Sequence, residues 1–337
     1  MLKRLLGLSS LILFIVVVTG FLFYLDYQKF LDASLKIDQP LVFTVDSGMT
    51  FTDLNKKLKS NKLVEKNWYL EFLVRSSNRA NKIKSGEYHL IPGLRPDELI
   101  NIFVSGKVIQ YSLTLLEGWQ IREILQTISL DDVLEKSLKS NGPDTLMSEL
   151  GYPGLMAEGL FFPDTYYFPK GTTDVAFLQR AYQRLRKILD EEWQQRDANL
   201  PYQNANEALI MASIIEKETG LASERRTIAG VFVRRLNKKM KLQTDPTVIY
   251  AMGKQFNGNI RHKDLDIDSP YNTYRYKGLP PSPIALAGRE AIHAALHPED
   301  GKSLYFVAKG DGSHYFSENL SEHNRAVAKY QLKSGRW

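Results

Sequence analysis

Read from its N-terminus, the chain opens with residues 5–25, LLGLSSLILFIVVVTGFLFYL, a run of 21 uncharged residues. As a helix this run would measure about 31 Å, enough to cross a bilayer. Residues 26–40 lose the apolar face and read as a linker or as an extension of that helix. Then the rhythm changes. LVFTV (41–45) predicts a strand closed by the Asp46-Ser47-Gly48 turn. Leu54, Leu58 and Leu63 then mark a helical face, with Asp53 four residues before Lys57. Tyr69, Leu70, Phe72 and Leu73 suggest a second helix, GEYHL (86–90) a second strand, and Pro92-Gly93 a turn. Residues 130–149 read as a polar helix broken at Gly142-Pro143. Phe177, Tyr182, Leu185 and Leu189 give residues 174–192 an amphipathic helical face.

The second half reads as mixed α+β. Residues 208–220, ALIMASIIEKETG, form an almost wholly apolar helix that ends on Glu218, Thr219 and Gly220. Ser223 can cap a following helix that runs to about Lys238, with Ile228, Val231, Phe232 and Leu236 as its buried stripe. The two make an αα-hairpin with Glu218 at the corner. Asp245 and Pro246 suit the N-cap and first position of a third helix, which Gly253 ends. LYFVA (304–308) reads as a buried strand, turned by Gly310-Asp311-Gly312 into His314-Tyr315-Phe316. The fold class is α+β: a four-residue tail, a transmembrane helix over 5–25, a linker over 26–40, a small α+β domain over 41–110, a connecting segment over 111–150 and a mixed α+β domain over 151–337.

Composition places these elements. With 337 residues, about two domains are expected. The 44 basic and 38 acidic residues leave a net charge of 44 − 38 = +6, with no basic stripe interleaved with aromatics, so nucleic acid is not the expected partner. Cysteine is absent, which removes disulfides and thiolate chemistry. Lys3 and Arg4 precede the apolar run, no basic cluster of that kind directly follows it, and Tyr24 and Tyr27 sit at its outer end. The positive-inside rule puts the N-terminus in the cytoplasm and the body outside, on the far face of the cytoplasmic (inner) membrane. Val18-Thr19-Gly20 is a poor cleavage site, so the segment is expected to stay as an anchor.

The candidate chemistry centres on Glu218. The negative end of a helix dipole raises the pKa of a carboxyl in its last turn, and a raised pKa suits a proton donor near neutrality. Glu216 competes with it. The two differ by about 200° around the helix, and periodicity does not choose between them. Gln243, Thr244 and Asp245 fall on a turn where side chains can point at a ligand, and Tyr271, Asn272 and Tyr274 alternate ring and polar character. The string EGLFFPDTY (158–166) mixes Glu158 and Asp164 with Phe162 and Tyr166, as a groove-lining loop or an aromatic core edge would. GLPPSPI (278–284) reads as a stiff loop. No metal site is expected: His293 and His297 are four apart, but no HExxH and no third ligand is evident. Ser213 lies inside the apolar helix, without a G-x-S-x-G elbow, and reads as a packing residue.

Three strings, beginning at Val45, Ile91 and Leu116, repeat the order strand, Gly turn, helix start. Such units resemble LysM-type modules, which bind polymers containing N-acetylglucosamine. EGLFFPDTY (158–166), ASIIEKET (212–219), LQTDPTVIY (242–250), YNTY (271–274) with GLPP (278–281), and YFVA (305–308) together resemble the YceG-like family of endolytic murein transglycosylases, over nearly the whole chain. The resemblance implies cleavage of the β-1,4 bond between N-acetylmuramic acid and N-acetylglucosamine in nascent peptidoglycan, without a cofactor. It places the catalytic acid on Glu218, through the Glu218-Thr219 pair. Glu158, Phe162, Asp164, Tyr166, Thr219, Gln243, Thr244, Asp245, Tyr271, Asn272 and Tyr274 are the expected substrate contacts. It also implies contact with peptidoglycan synthases or with elongation and division proteins. Two other readings stay open. One is a two-carboxylate hydrolase using Asp245 or Asp164, and the other is a non-catalytic glycan-binding scaffold.

Overall fold

The computed structural model describes residues 2–140 and 142–332. Met1, the side chains of residues 2–6, Asn141 and residues 333–337 lie outside that description. They include Lys3 and Arg4, on which the orientation rests, and the end of the expected catalytic domain. The chain divides into two compact units, Met1–Tyr111 with Tyr167–Gly171, and Ser112–Tyr166 with Thr172–Trp337.

The first unit begins with α1 (Leu2–Asp32). Its stretch Gly7–Asp32 is long and apolar enough to cross a membrane, and none of it is buried in the protein. Next come β1 (Leu41–Val45), α2 (Phe51–Ser60), α3 (Asn67–Ser76), β2 (Gly86–Leu90) and α4 (Pro96–Ser105). β1 and β2 pair antiparallel, Leu41 opposite Leu90 and Val45 opposite Gly86. Strand alternation sends Phe43 and Val45 into a core with Leu54, Leu58, Leu99 and Phe103. Thr50 caps α2 by accepting the Asp53 N–H. The expected Asp53–Lys57 pair does not form. Lys57 turns instead to Asp46 Oδ2 and the Thr44 carbonyl, both at 2.8 Å, and Asp53 faces Lys56. Tertiary partners outside the helix thus win over the i,i+4 neighbour, which is worth only about 0.5 kcal/mol.

The second unit takes up β3 (Tyr111–Thr114) after its first residue, then α5 (Ile121–Leu130) and α6 (Pro143–Glu149). The helix expected over residues 130–149 is therefore only its last third. Asp131 ends α5, and its carboxylate instead ties down the N–H groups of Val133 and Leu134. β4 (Thr165–Phe168), whose last two residues fall in the first unit, α7 (Asp174–Gln194), α8 (Ala205–Glu218), α9 (Arg225–Asn237), α10 (Asp245–Met252) and α11 (Arg289–Leu296) follow. The chain closes with the antiparallel hairpin β5 (Tyr305–Ala308) and β6 (His314–Ser317), then α12 (Leu320–Val327).

The repeated strand–turn–helix order is real at the level of local structure. β1 leads to α2, β2 to α4 and β3 to α5, through Gly48, Gly93 and Gly118, all at positive φ.

Helix α8 is the axis of the second unit. Every residue from Ala208 to Ile215 is buried, and α7, α9, α10 and α11 pack around it. A helix apolar on all sides belongs in the middle of a bundle. Ser213 sits within it as expected, donating to the Ile210 carbonyl and accepting the Ile284 N–H. Gly159, at φ 73°, marks a close approach: a Cβ there would lie 2.3 Å from Pro283 Cβ. That contact locks the EGLFFP loop onto the proline loop.

Candidate active site

The buried run of α8 ends at Ile215, before its C-terminal end. Glu216 and Glu218 both leave it there, and their surroundings differ. Glu216 Oε2 accepts the Gly288 N–H at 2.9 Å, just before α11, and its carboxylate lies 3.8 Å from the buried Arg225 guanidinium. Burial raises its pKa, and the Gly288 bond opposes that. This acid is engaged in joining α8 to α11. Glu218 is partly buried at the corner between α8 and α9, as the hairpin pattern requires. Its Oε1 accepts a short bond from the Thr244 hydroxyl.

Desolvation pushes the Glu218 pKa up to about 7. The Thr244 bond and the Arg235 guanidinium oppose the rise, and the Asp245 carboxylate adds to it. A carboxyl titrating there exchanges a proton under physiological conditions.

Thr244 is held from behind. Its N–H donates to Thr273 Oγ1 at 3.1 Å, Thr273 Oγ1 bonds Thr247 Oγ1 at 2.9 Å, and the Gln243 N–H donates to the Thr273 carbonyl at 3.2 Å. Gln243 is exposed at φ 51°, an unusual conformation for a residue other than glycine, at the turn that aims Thr244 inward. α10 starts one residue earlier than expected: Thr244 is its N-cap and Asp245 its first residue. Thr244 therefore points its hydroxyl at Glu218 instead of capping the helix. The exposed Asp245 accepts the Tyr274 hydroxyl at 2.6 Å. The α9 cap is likewise Glu224 rather than Ser223, which lies in a preceding 3-10 turn.

The structure thus groups Glu218, Thr244, Asp245 and Tyr274 from the sequence candidates and adds Thr247, Thr273 and Arg235. Buried Arg235 donates to the Leu304 and Leu242 carbonyls at 2.6 and 2.5 Å. Nothing in its helical position announces this role. The YNTY string does contain Thr273, but its pattern drew attention to the rings.

The other candidates take up support positions. Asn272 is buried and holds its loop through the Leu265 and Ile267 carbonyls, both at 2.8 Å. The Tyr271 hydroxyl bonds Ser282 Oγ at 2.7 Å. Thr219 ends α8, and its hydroxyl accepts the Leu221 N–H. Phe162 belongs to the core around α8, and the Tyr166 hydroxyl donates to the Phe162 carbonyl at 2.7 Å. Asp164 is exposed and 3.9 Å from Arg184. Glu158 is buried. Its Oε1 accepts the Ile121 N–H at the start of α5 and its Oε2 accepts the Tyr250 hydroxyl of α10, at 3.0 and 3.2 Å. Desolvation raises its pKa to about 7 against both of these bonds.

His293 and His297 do have a carboxylate neighbour that the sequence could not place. Glu192, 101 residues before His293, bonds its Nδ1 at 2.9 Å, and the three side chains could jointly hold a cation. Arg289 lies 3.2 Å from the other Glu192 oxygen, and His297 pairs with Asp197.

A half-buried acid poised near neutrality, fixed by one hydroxyl and beside one carboxylate, defines a site for acid–base chemistry. The comparisons with known proteins point the same way. A model of the YceG-like family matches residues 43–329. The endolytic murein transglycosylase of Bacillus subtilis is 35% identical over 303 residues, covering 85% of this chain and 83% of that protein. The one from Streptococcus pneumoniae is 29% identical and covers 91% of this chain, which spans 62% of the pneumococcal protein. The crystal structure of a yceG-like protein from Listeria monocytogenes matches with a TM-score of 0.52 at 30% identity, covering 86% of this chain and 99% of that one. The chain belongs to the YceG-like family.

Proposed function

We propose that this chain is a membrane-anchored endolytic transglycosylase of peptidoglycan and that Glu218 is its single acid–base catalyst. The activity is the one named in the Bacillus and Streptococcus relatives. The observation that carries the residue assignment is the Glu218 carboxyl, raised to about 7, with Thr244 donating to Oε1 only. The protonated acid gives its proton to the glycosidic oxygen as the muramic acid C1–O bond breaks. The resulting carboxylate then takes the proton of the C6 hydroxyl as O6 closes on C1. The products are a free 4-hydroxyl and a 1,6-anhydro end; no water is consumed, and Glu218 ends protonated. Asp245 supplies negative potential beside the positively charged sugar. One carboxyl suffices for this route, whereas hydrolysis with a nucleophile or activated water needs two.

Mass spectrometry of glycan strands after digestion tests this. Anhydro ends with the native chain and intact strands with Glu218→Gln are expected. Reducing ends would assign a hydrolase, and intact strands with both proteins a binding scaffold. We further propose that α1 spans the inner membrane with its N-terminus in the cytoplasm, that the first unit contributes glycan binding as LysM-like modules do, and that synthases of the same polymer are partners. A C-terminal reporter enzyme active only outside the cytoplasm would stay silent if the orientation were reversed.

A further inference from the structure

The aromatic side of α3 packs against α1 through Trp68, Tyr69 and Phe72. The uncharged run ends at Leu25, and Asp26 is the first charge. Asp26 accepts Lys66 Nζ at 2.7 and 2.8 Å and the Tyr69 hydroxyl at 2.6 Å, which fixes α3 alongside α1 at that level. From there α3 leans back towards the apolar run. Phe23, about one helical turn on the lipid side of Asp26, lies 5.6 Å from the Trp68 ring, 5.5 Å from Tyr69 and 5.8 Å from Phe72. Tyr27 meets Phe72 edge-on at 5.2 Å. Trp68 and Phe72 are nevertheless 50% and 47% exposed. Between them Glu71 is neutralised by Arg75 at 2.8 Å. Just outside this level opens a groove of about 320 Å³, with Lys29, Lys36 and Lys66 on its rim. Lys36 and Lys66 are paired there with Glu65 and Asp26.

A hydrocarbon core of about 30 Å accommodates some 20 helical residues, so its outer boundary falls at Phe23 to Asp26. Whatever touches Phe23 from the side shares its depth. We propose that the Trp68–Phe72 face of α3 is embedded in the interfacial layer of the bilayer, so that the first unit is docked on the lipid surface and not merely tethered to it. The occupant of the exposed ring faces is lipid. Tryptophan favours this layer because its ring is apolar while its N–H stays wet, and cations flank it at the level of the phosphates. The proposal rests on α1 spanning the membrane.

The chain contains no cysteine, so single cysteines can carry a spin label without background. We would label Leu13→Cys, Phe72→Cys and Trp68→Cys in the full chain, reconstituted in vesicles of phosphatidylethanolamine and phosphatidylglycerol. Collision with lipid-soluble oxygen is then compared with collision with a water-soluble nickel chelate, using free label in buffer as reference. Position 13 should be deep. Position 68 or 72 should favour oxygen severalfold over the free label, at a shallower depth than position 13. Position 13 in lipid with both 68 and 72 in water overturns the docking and leaves the anchor intact. Position 13 in water overturns the anchor, and the docking with it.

Discussion

Two places in the second unit keep a carboxyl near neutrality by the same means in different settings. Under α5, Glu158 is sealed in, and both of its oxygens are occupied by donors from different elements, the Ile121 N–H and the Tyr250 hydroxyl. At the α8 corner, Glu218 is only partly buried and has one hydroxyl donor. Desolvation is the leading cause of both shifts, and both rise to about 7. A perturbed acid is therefore not by itself a catalytic one. What separates the two is that Glu218, among the described residues, has a donor on one oxygen alone and the Asp245 carboxylate beside it, and its proposed role rests on that setting. The largest effect follows from that difference. Glu218→Gln should lower the rate of strand cleavage about 10³-fold, the range of a lost general acid, while Glu158→Gln stays within about tenfold of the native rate. Equal losses from both, measured on one batch of glycan strands, would erase the distinction.

Glu158 should dominate in stability. Glu158→Ala strands a buried N–H and a partly buried hydroxyl, at roughly 1–3 kcal/mol each. The urea midpoint should fall by the equivalent of about 3 kcal/mol with no change in slope. An unchanged midpoint would mean that the bridge between α5 and α10 holds nothing together. The carboxyl itself acts in the opposite direction. Its pKa of about 7 in the folded chain lies above the ordinary value of 4.5. Between those two values the folded state holds a proton that the unfolded state releases, so stability falls as pH rises from about 4.5 to 7 and is level above that. Glu158→Gln, which keeps an acceptor for Ile121, should remove the Glu158 share of this slope, leaving that of Glu218, and gain about 3 kcal/mol at pH 8 relative to pH 4. A native-like pH slope in that variant would locate the titration elsewhere.

The contrast was only half visible in the residues. The α8 hairpin was legible because an apolar run ending in acid, Thr and Gly has few other uses, and β1 and β2 because alternation and turn glycines agree. The choice between Glu216 and Glu218 was not legible. Where every residue from Ala208 to Ile215 is buried there is no polar face to count from, and what separates the acids is the Gly288 N–H, 72 positions after Glu216. Phe162 and Tyr166 looked like rings for a sugar to stack on but fill the core, because the same composition serves both uses. The threonines behind Glu218 were hidden for another reason. Thr244, Thr247 and Thr273 converge through a loop, and small hydroxyl residues carry no periodic signature.

Those threonines and Asp245 give the finest test, because their effects on Glu218 have opposite signs. The Thr244 hydroxyl stabilises the carboxylate and the Asp245 charge destabilises it. In the proposed mechanism activity requires protonated Glu218, so the rate should fall as pH rises through about 7. In Thr244→Val the carboxylate loses its hydrogen bond, its pKa climbs, and the falling limb should move to higher pH by about one unit, in the range expected for one such bond. In Asp245→Asn the repulsion is gone, and the limb should move to lower pH by about half a unit, since the exposed Asp245 is screened by solvent. Asn can still accept the Tyr274 hydroxyl, so the loop should keep its place. Limbs displaced in the same direction, or unmoved in both variants, would show that the group titrating in the rate is not Glu218.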